Sequence, residues 1–195
     1  MLSIAAIGRV IDELNRLQVA YVLTGSLARN VYCSPRATID ADFVVVANPK
    51  QLQQLFQQLK DEFQLEEQMA FETVTGKTQH KLRHRASRFL IEIFEARLDD
   101  PHERSRLERR QPLSFERYTT YVTTAEDVIV QKLRWYKQIR RGKDRDDTIE
   151  VMMYQWKNLD WPYIEQWCVD HGTLELLTEL KREASQKLAA MNPDM

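Results

Sequence analysis

Asp40 and Asp42 stand two residues apart at the head of a β-branched run, Phe43-Val44-Val45-Val46. Residues two apart in a strand project to the same face, so this spacing puts both carboxylates on one side of a sheet. Like charges so close are costly unless a cation offsets them. Mg²⁺ suits the pair, because it is a hard octahedral ion commonly held by one or two carboxylates together with substrate phosphates. Upstream, Thr24-Gly25-Ser26 is a glycine turn able to expose backbone amides at a helix start, a ready cradle for phosphate. Downstream, Glu92 is the one acid within Leu90-Ile91-Glu92-Ile93-Phe94, and it is expensive to bury unless paired or metal-bound. Each feature also has a plain structural reading: a solvated strand end, an ordinary turn, an edge-strand carboxylate facing water. The three acids together favour a shared cation and chemistry on phosphate.

The elements that must position these residues follow from periodicity. Ile4, Ile7, Ile11, Leu14 and Leu17 recur at spacings of three and four, which predicts a helix over about residues 2–18. Ala20 to Leu23 reads as a buried strand delivering the chain into the glycine turn, with a helix over 27–32. Phe43 to Val46 is a second strand, ended by Asn48-Pro49 before an amphipathic helix carrying Leu52, Leu55, Phe56, Leu59 and Phe63. From Phe71 to Ala96 the helical period is lost, Gly76-Lys77 marks a hairpin turn, and Phe89 to Phe94 is a buried strand. Residues 97–116, with Arg104, Arg106, Arg109 and Arg110 among acids, predict a surface helix or loop without a core stripe. Tyr118 to Thr123 adds an edge strand. Thr124-Ala125-Glu126-Asp127 has the form of a capping box and opens a helix ending near Gly142. Further helices carry Ile149, Met152, Met153 and Trp156, then Pro162 in a first turn, then Leu174, Leu177, Leu180 and Leu188 after a stop at His171-Gly172.

From the first of these helices toward the second, Lys132 to Arg145 holds seven basic residues with Trp135 and Tyr136 among them. The segment is either a solvated helix face or a polyanion track with stacking aromatics. Lys132 itself is either a surface lysine or one that reaches a cleft. Asp144 and Asp147, three apart, share a helix face or complement a helix dipole. His80, His84 and His102 keep no ligand spacing with any acid.

A length of 195 residues allows one domain with a helical appendage, and 43% apolar with 29% charged residues excludes global disorder. Lys plus Arg number 28 against 29 Asp plus Glu, so a formal charge of −1 gives no whole-molecule attraction to nucleic acid or anionic membrane. No run approaches a membrane span, and Met1-Leu2-Ser3-Ile4 lacks a basic leader, so the expectation is a cytoplasmic protein without a membrane partner. Cys33 and Cys168 belong to no disulfide or zinc spacing and are expected to be packing residues.

The order Gly25-Ser26, then Asp40-Ala41-Asp42 before an apolar strand, then the lone acid Glu92 resembles the DNA polymerase β-type nucleotidyltransferase superfamily. The likeness runs toward small bacterial proteins of the AbiEii abortive-infection toxin type. It is carried by Thr24-Gly25-Ser26, by Arg36-Ala37-Thr38-Ile39-Asp40-Ala41-Asp42, by the helix Glu126 to Leu133 with Lys132, and by Lys143-Asp144-Arg145-Asp146-Asp147. It implies an α/β (α+β) fold: a nucleotidyltransferase-like mixed sheet with flanking helices over residues 1–120, and a C-terminal helical region, 121–195, packed on it.

By the same resemblance the activity is transfer of a nucleoside monophosphate from an NTP to an RNA, protein or small-molecule acceptor. Asp40, Asp42 and Glu92 are the implied metal ligands for two Mg²⁺ ions. Gly25 and Ser26 are the implied cradle for the β and γ phosphates, and Arg29, Arg36 and Lys132 the cations that neutralise pyrophosphate. A cognate antitoxin or toxin, in a toxin-antitoxin or phage-defence pair, is the implied partner. A non-catalytic nucleotide- or partner-binding module is the alternative. Two departures from the family pattern stand out: Thr24 replaces a frequent glycine, which bears on the triphosphate cradle, and Glu92 replaces a frequent aspartate, which lengthens one ligand by a methylene.

Overall fold

The computed structural model describes residues 2–66, 70–71 and 76–191. The chain divides into two compact units, Met1–Leu27 with Ala37–Thr123, and Ala28–Arg36 with Thr124–Met195.

The first unit is a mixed sheet with helices. In chain order its elements are α1 (Leu2–Arg16), β1 (Ala20–Thr24), the start of α2 (Gly25–Tyr32), β2 (Asp40–Val46), α3 (Pro49–Leu59), β3 (Phe63–Leu65), β4 (Ala70–Phe71), β5 (Thr78–His84), β6 (Leu90–Glu95), α4 (Pro101–Arg109), β7 (Gln111–Phe115) and β8 (Tyr118–Val122). The strands lie in the order β3-β5-β6-β2-β1-β8-β7, with β4 paired to β5. β2 runs antiparallel to β1 and parallel to β6, and β1 runs parallel to β8.

Alternation along the strands sorts side chains between two faces. Tyr21, Leu23, Ala41, Phe43, Val45, Ile91 and Ile93 form one core with α1 and α3, to which each fully buried aliphatic side chain contributes about 1.5–3 kcal/mol. Val22, Val44 and Phe94 form a smaller cluster on the opposite face with Leu107 of α4. Asp40, Asp42 and Glu92 fall in register with this second set. The large core therefore fixes strand order and register, while the lightly covered face carries the polar residues.

Four expectations about elements are corrected. Phe63 leaves the α3 period and begins β3, where it pairs with His84 and is buried in the same core; a strand residue entering that core satisfied the helical spacing by coincidence. Residues 97–116 do hold a helix and are mostly open to solvent, but the helix has a buried side. They contain α4, whose His102, Glu103, Arg106 and Leu107 are buried, and then β7. β8 is interior, because β7 pairs with it and takes the edge. Pro112 suits that edge, since its missing N–H removes no interior ladder bond.

The second unit is helical: the rest of α2, α5 (Ala125–Ile139), α6 (Gly142–Gln155), α7 (Trp161–Asp170) and α8 (Leu174–Met191). Val128, Ile129, Leu133, Ile149, Met152, Ile164, Cys168, Leu177 and Leu180 are buried. The Thr124 hydroxyl accepts from the Asp127 amide at 3.2 Å and donates to Asp127 Oδ2 at 2.9 Å, which starts α5 as the capping pattern predicts. The end of α5 is the fourth correction: the left-handed residue that closes it is Arg140 (φ 56°), and Gly142 begins α6. Both cysteines are free and buried, and burial pushes the Cys168 thiol up to about 11. No described helix is long and apolar enough to cross a membrane.

Candidate active site

In the first unit four polar side chains form a row across adjacent strands. Lys81 on β5 lies opposite Glu92 on β6, Glu92 opposite Asp42 on β2, and Asp42 opposite Thr24 on β1. Directly opposed residues in neighbouring strands have side chains in contact range. Lys81 Nζ lies 3.7 Å from Glu92 Oε1, so one end of the row supplies a positive charge. Asp40 stands two residues before Asp42 on the same face and accepts a 2.6 Å hydrogen bond from the Thr38 hydroxyl at Oδ1.

β1 ends in this row and turns into α2 through Gly25. That residue has φ +65°, and a Cβ on it would lie 1.8 Å from Asp42 Oδ2. Glycine is required twice over, by the left-handed backbone and by the carboxylate in the space a side chain would fill. Ser26 follows in the first turn of α2 and is buried. The glycine turn and the buried Asp42 carboxylate are thus one packed feature. Among the described residues no three His, Cys, Asp or Glu side chains close into a metal-binding group. The donor chemistry fits a hard divalent cation all the same: Asp42 and Glu92 are oxygen donors side by side, with Asp40 next along the strand.

The three predicted phosphate-binding cations come together in the second unit, around acids. Arg36 donates to Asp147 from Nε at 3.1 Å and from Nη2 at 2.8 Å, a bidentate pair. Arg29, buried to 2% exposure, has Nε 3.2 Å from Asp147 Oδ1 and pairs with Glu150. Lys132 Nζ lies 2.9 Å from both Asp144 Oδ1 and Asp147 Oδ2. Burial alone would raise the Asp147 carboxyl, but the hydrogen bond from Arg36 and the charge of Lys132 outweigh it and hold it below the usual carboxylate range.

Lys132 is 3% exposed, which excludes the surface reading of that residue. The basic run therefore splits. Lys132 points inward, whereas Lys137, Arg140, Arg141 and Lys143 are exposed. Trp135 has Lys132 Nζ at 5.5 Å and the Arg141 guanidinium at 5.4 Å from its ring centroid.

Two groupings were beyond sequence reasoning. Asp144 and Asp147 are the shared counterions of the cations, for which their three-residue spacing was the available signal. Lys77, Glu103 and Arg106 are buried together in the first unit. There the signal was only the i, i+3 spacing of Glu103 and Arg106 inside a segment dense with charge.

No protein-family model matches the chain, and no curated protein matches it. Solved structures do. The crystal structure of ANT(2″)-Ia in complex with adenylyl-2″-tobramycin matches with a TM-score of 0.60 at 10% identity, covering 89% of this chain and 98% of that one. The solution structure of the antibiotic-resistance factor ANT(2″)-Ia gives 0.50 at 10% identity, covering 95% and 92%. This chain has the nucleotidyltransferase fold. At such identities the likeness is one of backbone architecture, and within that fold the Gly25 turn and the Asp42–Glu92 pair are described by this chain's own geometry. The lincomycin-bound lincosamide antibiotic adenylyltransferase LnuA also matches, with a TM-score of 0.49 at 14% identity, covering 77% and 95%.

Proposed function

We propose that this chain is a Mg²⁺-dependent nucleotidyltransferase that moves a nucleoside monophosphate from an NTP to a hydroxyl acceptor. The observation that carries the proposal is the packing of the Asp42 carboxylate against the Gly25 turn with Glu92 directly across β2 and β6, on a sheet of the nucleotidyltransferase fold. In this reading Asp40, Asp42 and Glu92 hold the metal. When bound, Mg²⁺ neutralises triphosphate charge and acidifies the attacking hydroxyl. Gly25 and Ser26 hold the β and γ phosphates through backbone amides and the hydroxyl, and Arg29, Arg36 and Lys132 supply positive potential for the leaving pyrophosphate. The adenylylated tobramycin named with ANT(2″)-Ia makes a small hydroxylated molecule the first acceptor to try. A toxin-antitoxin or phage-defence role, with an RNA or protein acceptor, is a narrower reading carried by the AbiEii-type motifs alone.

The test is incubation with each α-labelled NTP, Mg²⁺, and separately a hydroxylated small-molecule panel, cell RNA and cell protein. Label transfer with pyrophosphate release, abolished in Asp42→Asn, is the expected outcome. Failure of the wild type to bind or turn over any NTP would refute the proposal. The second reading, a module that binds nucleotide without turnover, is favoured by the pairing of Arg29, Arg36 and Lys132 with Asp144, Asp147 and Glu150. Mg²⁺-dependent NTP binding with no labelled product would select it.

A further inference from the structure

Glu103 and Arg106 of α4, with Lys77, form a cluster of charges buried to 5% exposure or less. Lys77 Nζ pairs with Glu103 Oε2, and Arg106 Nη1 lies 3.5 Å from the same oxygen. Burial alone would raise the Glu103 carboxyl, but the charges of Arg106 and Lys77 hold it below the usual range. Burying ions costs several kcal/mol apiece before pairing, and well-packed apolar residues often do as well or better. Stability alone is therefore a poor account of the cluster.

Its geometry offers another. Arg106 Nη2 donates to the Thr24 hydroxyl at 3.0 Å, a buried hydrogen bond from α4 to the last residue of β1. Thr24 lies opposite Asp42 in register and immediately precedes Gly25, against whose Cα the Asp42 carboxylate is packed. The hydrogen bond thus holds the point at which β1 becomes the glycine turn. Glu103, itself paired with Lys77, holds the guanidinium in turn, so the donor is fixed before any ligand arrives.

We propose that Arg106 is a positioning residue for the Gly25-Ser26 turn, acting through the Thr24 hydroxyl; the proposal rests on the nucleotidyltransferase reading, in which that turn binds the triphosphate. Threonine at this position then has a stated use, as the acceptor for Arg106. A turn aimed in advance binds phosphate without the cost of ordering itself.

The test removes the hydroxyl alone. Thr24→Val, Thr24→Ser and Leu107→Ala are compared with wild type by thermal melts and by calorimetric titration with ATP, GTP, CTP and UTP, each with MgCl₂. Leu107 belongs to the same helix and packs on Val22 and Val44, so its truncation loosens α4 without touching the Thr24 bond. Thr24→Val is expected to weaken nucleotide binding about tenfold, in keeping with one lost hydrogen bond to a charged group. Thr24→Ser should retain wild-type affinity, and Leu107→Ala should lower Tm while keeping it. Thr24→Ala carries the same test if the valine variant does not fold. Wild-type affinity in the variant lacking the hydroxyl, or an equal loss in Leu107→Ala, would overturn the proposal. If wild type binds and Asp42→Ala does not, such a result removes only the role of Arg106. If wild type binds no nucleotide, both readings fall.

Discussion

Lys132 shows how far residue-level reasoning reaches. Its position two turns into a capped helix was legible, and so was its capacity to meet an anion, but the anions it meets sit on the next helix at a spacing that reads equally well as a dipole complement. An exposed lysine contributes about 0.5 kcal/mol or less. With Nζ 2.9 Å from both Asp144 and Asp147 at 3% exposure, the cost of its removal is set by the carboxylates left behind. Lys132→Met is expected to destabilise the protein by about 3–5 kcal/mol, the range for breaking one side of a buried ion pair. Urea unfolding of the variant measures it, and a change below about 1 kcal/mol would mean that the ammonium is effectively solvated. Asp40 and Asp42 were legible in another way: strand alternation places both on one face by arithmetic, whereas the place of Glu92 on that face follows from the register of β6 against β2. The closeness of Asp42 to Gly25 was not legible, because sequence shows that a glycine is present but not which side chain fills the space it leaves.

Elements were read well where one face is apolar and poorly where the buried face is charged. α8 buries Leu177 and Leu180 while leaving Leu174 exposed, and α1, β1, β2 and β6 follow their hydrophobic patterns. α4 does not, because Glu103, Lys77 and Arg106 bury one another and leave Leu107 as the only apolar residue on its inner side. The end of α5 was misjudged because glycine is the usual helix stop, whereas here Arg140 takes the left-handed conformation and its N–H donates to Tyr136 O. A non-glycine residue at φ 56° is held against its intrinsic preference. Arg140 is exposed and its guanidinium lies 5.3 Å from the Tyr136 ring centroid, a weak attraction to lose. Arg140→Gly is therefore expected to stabilise the protein by about 0.5–1 kcal/mol, the relief of left-handed strain less a smaller stacking term. Chemical denaturation tests this, and a variant less stable than wild type would show that stacking on Tyr136 outweighs the strain.

Over the whole molecule the formal charge is close to zero, yet each unit buries a compact set of opposite charges. The units therefore share a dependence on pH that net charge does not reveal. Asp147 and Glu103 are both held below their ordinary values of 3.8 and 4.5, in each case because nearby cations outweigh the opposing effect of burial. A carboxyl whose folded value is depressed contributes stability that is fully present above its unfolded value and is lost as pH falls through its folded one. Between those limits the unfolded chain binds more protons than the folded one, so acid favours unfolding. Protonating Asp147 also strips Arg29, Arg36 and Lys132 of a shared counterion, and protonating Glu103 does the same to Lys77 and Arg106, so the remaining cations repel one another. Stability is expected to be level from pH 7 to about pH 5 and to fall steadily below about pH 4. Urea unfolding across that range checks the sign and the window. Because Glu103 titrates in one unit and Asp147 in the other, Glu103→Gln should flatten the acid limb only in part, leaving the slope contributed by Asp147; stability constant down to pH 3 in wild type would mean that neither carboxyl is held by the cations around it.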